Sequence, residues 1–312
     1  MVVQSYTLKD YKTDVHNTWC PGCGDFGILT ALQMALAEIG VAPHKVAIVS
    51  GIGCSGKAPH YLNAYGFHTL HGRAVPVATG MKLSNPEMTV IAVGGDGDGY
   101  GIGSGYFVNA GRRNVDFTYL VFDNEVYGLT KGQGSPTMKK GLKAKGMAEA
   151  AVQDNINPLA LAISSGYTFV GRGYALNPKA TAQLIAQAVS HKGTSFIDII
   201  QTCPVYNDLH TKEYYTEMVE GNPRMYWLEN TDYDAVVHDT TNADEVVEKK
   251  LQAITKAYEG GTGNQIPLGC YYKIDVPTFE DQISQGRPNG MDSILQPNLW
   301  NRNVSNLVES LR

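Results

Sequence analysis

The stretch TVIAVGGDGDGYGIGSGYFVNAGRRNVDFTYLVFDNEVYGLTKGQG, Thr89 to Gly134, decides how this sequence reads. Thr89 to Val93 is apolar and β-branched, the mark of a buried strand. It breaks into Gly94, Gly95, Asp96, Gly97, Asp98 and Gly99, and the small residues from Gly101 to Arg113 then predict a helix. A second strand, Phe117 to Phe122, runs into Asp123-Asn124, followed by a loop with Tyr127, Gly128, Thr130 and Lys131. The unit is strand, turn, helix, strand, with a carboxylate closing the first strand and an amide closing the second.

If the two strands are parallel neighbours, their carboxyl ends lie side by side, where open α/β sheets bind ligands. Asp96, Asn124 and nearby carbonyls then make a hard-oxygen set suited to Mg²⁺, which draws its remaining ligands from phosphate and water. The glycines let backbone N–H groups approach a phosphate, and the helix N-terminus favours its charge. Gly-Asp-Gly followed by Asn after roughly thirty residues, one strand–helix–strand passage, is similar to the signature of thiamine-diphosphate enzymes. A glycine-rich turn beside a solvated Asp would explain Gly-Asp-Gly alone, but not the Asn and the Asn-x-x-Tyr-Gly-x-Thr loop as well. The glycines at 97, 99, 101, 103 and 105 alternate and do not spell a dinucleotide fingerprint.

At 312 residues the chain is long enough for one large α/β domain or two smaller ones. A hydrophobic content of 43% makes it globular, and a net charge of −5 gives no reason to expect nucleic acid or an anionic membrane. No apolar run reaches membrane-spanning length and Met1 to Lys12 has no signal-peptide core, so a soluble cytoplasmic protein is expected.

Cysteine placement is the second signal. Trp19-Cys20-Pro21-Gly22-Cys23-Gly24-Asp25 opens a predicted helix, Phe26 to Glu38, with no strand before it, unlike a thioredoxin dithiol. A structural zinc site would show a second close Cys or His pair, and none exists. An iron–sulfur cluster can gather thiolates from distant loops. Cys54 and Cys203 each follow a strand-like segment, Val46 to Val49 and Phe196 to Ile200, which would bring them to the same sheet edge as Asp96. Cys270 sits in a Tyr-flanked run as a structural thiol. Chemistry alone leaves cluster, zinc and free thiols open.

Gly51 to Lys57 fits the glycine and lysine spacing of a P-loop, but Ala58 stands where a Mg²⁺-binding hydroxyl should be. Pro59 to Gly80 reads as a loop, with His60, His68, His71 and Arg73 in no zinc spacing; His71 is placed nearest a cofactor. Ser135 to Asp154, with Lys139, Lys140, Lys143 and Lys145, reads as a mobile, solvated segment. Helices at Pro158 to Ser164 and Pro178 to Ser190 alternate with strands at Tyr167 to Val170 and Ser195 to Ile200, completing a doubly wound, mostly parallel sheet. The expected division is an α/β domain over 1–208 and, over 209–312, an extension or small subdomain that covers the core or contacts a partner, with a helix from Asp244 to Tyr258 and irregular chain from Pro277 to Asn298.

Together, WCPGCGDFG (19–27), GIGCSGK (51–57), HGRAVPVATGMK (71–82), GGDGDGYGIG (94–103), DNEVYGLTKGQGSPT (123–137) and QTCPVYN (201–207) resemble the β subunit of 2-oxoacid:ferredoxin oxidoreductases, the pyruvate and 2-oxoglutarate type. The resemblance covers about the first two thirds of the chain, in order. It implies a thiamine-diphosphate-binding fold and a [4Fe–4S] cluster on Cys20, Cys23, Cys54 and Cys203, leaving Cys270 out. It implies Mg²⁺ on Asp96, Asn124 and the Val126 carbonyl, with Gly97, Asp98, Gly128 and Leu129 along the diphosphate. Ile52, Gly53, Cys54, Ser55 and His71 would lie close to the cofactor, with Lys57, Lys131 and His71 in catalytic roles. The implied activity is oxidative decarboxylation of a 2-oxoacid to acyl-CoA and CO₂, with coenzyme A as co-substrate and electrons passing through the cluster to ferredoxin. The Glu that activates the aminopyrimidine comes from a separate domain, so the chain should need an α partner, possibly a γ–α fusion, in a heterodimer or a dimer of heterodimers. A non-oxidative thiamine decarboxylase subunit has no use for four convergent thiolates, and a zinc-stabilised binding module leaves Asp96 and Asn124 unexplained.

Overall fold

The computed structural model describes residues 5–262, 265–285 and 309. After an amino-terminal arm, α1 (Asp25–Ile39) leads to β1 (Val46–Ser50) and β2 (Tyr65–His68), and α2 (Ala74–Ser84) returns to β3 (Thr89–Gly95). A wide π-type turn over Gly97–Ile102 precedes α3 (Ser104–Arg113) and β4 (Thr118–Asp123). Then come α4 (Pro158–Ser165), β5 (Phe169–Tyr174), α5 (Pro178–Ser190) and β6 (Ser195–Ile200). The chain closes with β7 (Met225–Trp227), α6 (Ala243–Thr262), β8 (Ile266–Lys273) and α7 (Phe279–Gln285). Both α4 and α5 start where the sequence says they should, on an Asn N-cap followed by Pro: Asn157 accepts from the Ala160 N–H at 3.1 Å and Asn177 from the Ala180 N–H at 3.3 Å.

Among the described residues the main sheet has eight strands in the order β7-β8-β5-β6-β4-β3-β1-β2. From β5 to β2 every pair is parallel; β8 runs antiparallel to β5 and carries β7 beside it. Strand alternation sorts side chains between two cores. Val90, Ala92, Tyr119 and Val121 face the layer of α2, α3, α4 and α6, whereas Ile91, Val93, Leu120 and Phe122 face α1 and α5. Helices cover both faces, so the central strands are apolar throughout, as a buried parallel sheet requires.

Several expectations are revised. The stretch read as a His-rich loop contains β2 and α2, because Pro76 falls in the first turn of α2, where a missing N–H is harmless. The strand expected over Tyr167 to Val170 is β5, further along at Phe169–Tyr174. Ser135 to Asp154, expected to be mobile, is irregular but packed: Met138 and Ala144 are buried with Val126 and Cys203. After 209, β7 and β8 extend the main sheet and α6 packs on its core. Part of the stretch read as irregular from Pro277 forms α7, pinned where the Phe279 N–H meets the Asn114 carbonyl at 3.0 Å; the rest of that stretch lies outside the described residues. No helix among the described residues is long and apolar enough to cross a membrane.

One buried charge group ties the turn after β3 to the sheet. Asp198, fully buried on β6, accepts from the Tyr100 hydroxyl at 2.8 Å and pairs with Arg172 of β5 through Nε at 2.9 Å and Nη2 at 2.8 Å. Removing one member strands the other in low dielectric, at ~3–5 kcal/mol. Asp198→Ala should therefore lower stability in urea unfolding by ~3–5 kcal/mol, and Tyr100→Phe by about 1 kcal/mol; equal losses would refute this assignment.

Candidate active site

Register decides where the functional side chains fall. Ser50 pairs with Val93, Gly95 with Phe122 and Asp123 with Ile200, so the carboxyl ends of β1, β3, β4 and β6 stand in one row. The loops leaving them enclose a cleft of ≈ 480 Å³, open mouth included. Of the residues singled out in the sequence, Ile52, Gly53, Cys54, Ser55, His71, Asp96, Gly97, Asp98, Asn124, Val126, Gly128 and Leu129 line it. Tyr127 and Thr130 of the Asn-x-x-Tyr-Gly-x-Thr loop line it as well, together with Gly95, Phe122 and Gln201, which were given no site role from the sequence. Lys57 and Lys131 are not in the lining: Lys57 Nζ reaches Thr18 Oγ1 at 3.2 Å, and Lys131 is exposed in the left-handed region at φ 77°.

Asp96 is 2% exposed, and its Oδ2 accepts hydrogen bonds from Ser135 Oγ at 2.5 Å and Thr137 Oγ1 at 2.9 Å. Thr137 Oγ1 also lies 2.8 Å from Asp123 Oδ1. Burial, with Asp198, Asp96 and Glu125 around it, pushes Asp123 well above the usual carboxylate range. Burial raises Asp96 as well, but hydrogen bonds from Ser135, Asp123 and Thr137 oppose the shift. The two carboxyls are thus raised together, Asp123 the more strongly. Across the cleft, Asn124 Oδ1 accepts from the Val126 N–H at 3.0 Å, a local turn that holds the amide oxygen on the same loop as the Val126 carbonyl. Asp123, Ser135 and Thr137 lie within the DNEVYGLTKGQGSPT motif, but nothing in the sequence assigns them a role of their own.

Asp98 lines the cleft and also braces the loops around it. Its Oδ1 accepts from the Ile52 N–H at 2.9 Å and the Gly72 N–H at 2.8 Å and faces His71 Nδ1 at 3.0 Å, bracketing two loops together. Burial raises its carboxyl, and the two backbone donors hold it down. Gly97 is required by close approach: a Cβ there would lie 2.2 Å from the Tyr127 ring. Ser55 Oγ and Gln201 Oε1 are buried, line the cleft and have no hydrogen-bond partner in the protein. With the hard oxygens of Asp96 and Asn124, the Ser55 hydroxyl, free to donate, fits a diphosphate held through Mg²⁺.

The cysteines meet on the same side. The loop of Cys20 and Cys23 is fastened to the loop of Cys203 by the Gly24 N–H on the Thr202 carbonyl at 3.2 Å, and to the loop of Cys54 by Trp19 Nε1 on the Cys54 carbonyl at 2.7 Å. A Cβ on Gly128 would lie 3.5 Å from Cys54 Sγ and 3.9 Å from Cys203 Sγ. All are free thiols, as is Cys270, which lies apart on β8. Burial pushes the thiols of Cys23, Cys54 and Cys203 up, Cys54 to about 12, and Asp25, fully buried at the start of α1, adds to the shift at Cys23 and Cys54. Among the described residues no three Cys, His, Asp or Glu side chains are disposed around one metal ion. A zinc site would hold its sulfurs in a tight tetrahedron at ~2.3 Å from the metal. Thiols on three separate loops are compatible with a cluster, in which each thiolate would bind a different iron.

Comparison with known proteins points to one family. Residues 51–199 match the thiamine pyrophosphate enzyme C-terminal TPP-binding domain, and residues 203–287 match the C-terminal region of the pyruvate ferredoxin oxidoreductase beta subunit. A 2-oxoacid:ferredoxin oxidoreductase subunit beta from Saccharolobus solfataricus is 51% identical over 281 residues, covering 89% of this chain and 88% of that protein. A 2-oxoglutarate oxidoreductase subunit from Mycobacterium tuberculosis is 41% identical, covering 88% of this chain and 79% of its own. The solved 2-oxoglutarate:ferredoxin oxidoreductase from Magnetococcus marinus, with 2-oxoglutarate, coenzyme A and succinyl-CoA bound, superposes with a TM-score of 0.84 at 34% identity, covering 99% of this chain and 97% of that one. With the Asp96–Asn124 pair and the convergent thiols, these likenesses establish that the chain is an enzyme subunit belonging to the β subunits of the 2-oxoacid:ferredoxin oxidoreductases.

Proposed function

We propose that this β subunit binds thiamine diphosphate, Mg²⁺ and a [4Fe–4S] cluster and, with an α partner, converts a 2-oxoacid and coenzyme A to acyl-CoA and CO₂, delivering electrons to ferredoxin. The observation that carries the reading is that Cys54 lines the same cleft as Asp96 and Asn124. Thiamine diphosphate supplies the nucleophilic carbon and electron sink for decarboxylation, and the cluster takes electrons one at a time. Asp96, Asn124 and the Val126 carbonyl hold the cation, and Ser55 Oγ with the backbone at Gly97, Gly128 and Leu129 receives the phosphates. Ile52 and Gly53 wall the cofactor, and His71, fixed by Asp98, presents its half-exposed ring at the cleft. Lys57 acts through its field on Cys54 and Asp25. Lys131, exposed at the rim, meets an anionic partner or substrate group.

The α partner supplies the groups that this single sheet lacks. Leu70 and Ile102, 74% and 60% exposed, flank the His71-Gly72 loop, and exposed Tyr65 and Phe67 continue the apolar surface along β2. Such a surface beside a cleft suits a permanent subunit contact.

Three outcomes are expected. Anaerobically assembled αβ enzyme should show a broad brown absorption that bleaches on adding a 2-oxoacid only when thiamine diphosphate, Mg²⁺ and coenzyme A are all present; a colourless protein containing zinc would overturn the redox half of the proposal. Cys203→Ser should lose iron and ferredoxin reduction together, whereas Cys270→Ser keeps both. Asn124→Ala should weaken Mg²⁺ binding, measured with thiamine diphosphate present, by at least about tenfold, since loss of a ligand exceeds the typical ~10–100-fold effect of an outer-shell change.

A further inference from the structure

Asp96 reaches the cleft from the end of β3, but what holds its carboxylate comes from a loop forty residues on. The chain leaves β4, crosses the rim, turns back through a short ribbon pairing Val126 with Gly134, and lays Ser135, Pro136 and Thr137 against Asp96. The loop is itself fastened: the Ser135 N–H meets the Glu125 carbonyl at 3.0 Å, and the Ile156 N–H meets the Pro136 carbonyl at 2.8 Å. Ser135 and Thr137 are 8% and 6% exposed, so water does not compete for their hydroxyls. Both hydroxyls meet the same oxygen, Oδ2; Ser135 Oγ lies 3.0 Å from Thr137 Oγ1, which also lies 2.8 Å from Asp123 Oδ1. Oδ1 receives neither hydroxyl.

A carboxylate free to rotate can offer one oxygen or both. Two donors on one oxygen fix the torsion and leave a single oxygen for a cation. That distinction matters because Mg²⁺ demands near-ideal octahedral geometry at ~2.0–2.1 Å, whereas Ca²⁺ accepts two-oxygen carboxylates at ~2.3–2.6 Å. We propose that Ser135 and Thr137 are positioning residues that lock Asp96 as a one-oxygen ligand and so select a small octahedral cation over Ca²⁺. This rests on the reading of Asp96 as a cation ligand.

The test is calorimetric titration of MgCl₂ and, separately, CaCl₂ into the assembled αβ complex with thiamine diphosphate present, comparing the parent with Ser135→Ala, Thr137→Val and the double variant. Expected is a loss in Mg²⁺ affinity of ~10–100-fold for the double variant, a smaller loss for Ca²⁺, and recovery of the parent ratio in Ser135→Thr. Unchanged subunit assembly and iron content in the same samples separate positioning from failure to fold. Equal losses for both cations, or no loss, would overturn the proposal. Asp96→Asn distinguishes the two levels: if it leaves Mg²⁺ affinity intact, the ligand reading itself falls, and if it removes binding while the double variant binds normally, only the positioning role falls.

Discussion

The parallel pairing of β3 with β4 is the constraint on which the rest depends. Ile91 pairs with Thr118 and Gly95 with Phe122, and only in that register do Asp96 and Asn124 emerge as neighbours. A one-residue slip would turn every side chain of a strand to the opposite face. Here it would exchange Val90 and Ala92 with Ile91 and Val93 between cores of different shape and lining. Hydrophobic packing on both faces thus fixes, at a distance, the position of two oxygen donors. The buried Tyr100–Asp198–Arg172 group extends the same control to the turn that carries Asp96 to Asp98.

The cleft is divided by element hardness. Oxygen donors come from the ends of β3 and β4, and sulfurs come from the loop before α1 and the loops after β1 and β6. Cys54 and Gly128 stand at the boundary, belonging to the lining of the cleft while lying against the thiols. Two small fastenings keep the boundary in place: the indole of Trp19 on the Cys54 carbonyl, and the Asp98 carboxylate on the Ile52 and Gly72 amides. Neither residue is among the proposed metal ligands; each holds the loop that carries Cys54.

Much of this was legible because the central strands obey simple rules. Apolar runs ending in Gly-Asp-Gly or Asp-Asn gave both the layers and the ligand edge, and the Asn-Pro starts of α4 and α5 gave their boundaries. Other features were hidden for physical reasons. Pro76 and Gly80 disguised α2, although proline is harmless in a first turn. The polar composition after Leu209 disguised β7 and β8, because β7 lies half-buried at the sheet edge and follows no core pattern. Ser135 and Thr137 act on Asp96 across about forty positions of chain, and local pattern carries no trace of such a contact. For Lys57 and Lys131, resemblance suggested catalytic roles, while the geometry directs one toward Thr18 and leaves the other in solvent.

The outer strand β2 has a consequence for how the enzyme must be made. It closes one side of the sheet, all four of its residues are exposed, and it carries Tyr65 and Phe67. An open strand with aromatic side chains is a template for pairing with other copies, and proteins usually blunt such edges with charge, proline or a cover. This one has only His68 near its end as a polar guard. If the proposed partner covers this edge, a subunit synthesised in excess of it is the aggregation-prone species. Balanced production of the two chains would then be a demand written into the edge of the sheet rather than into the catalytic cleft.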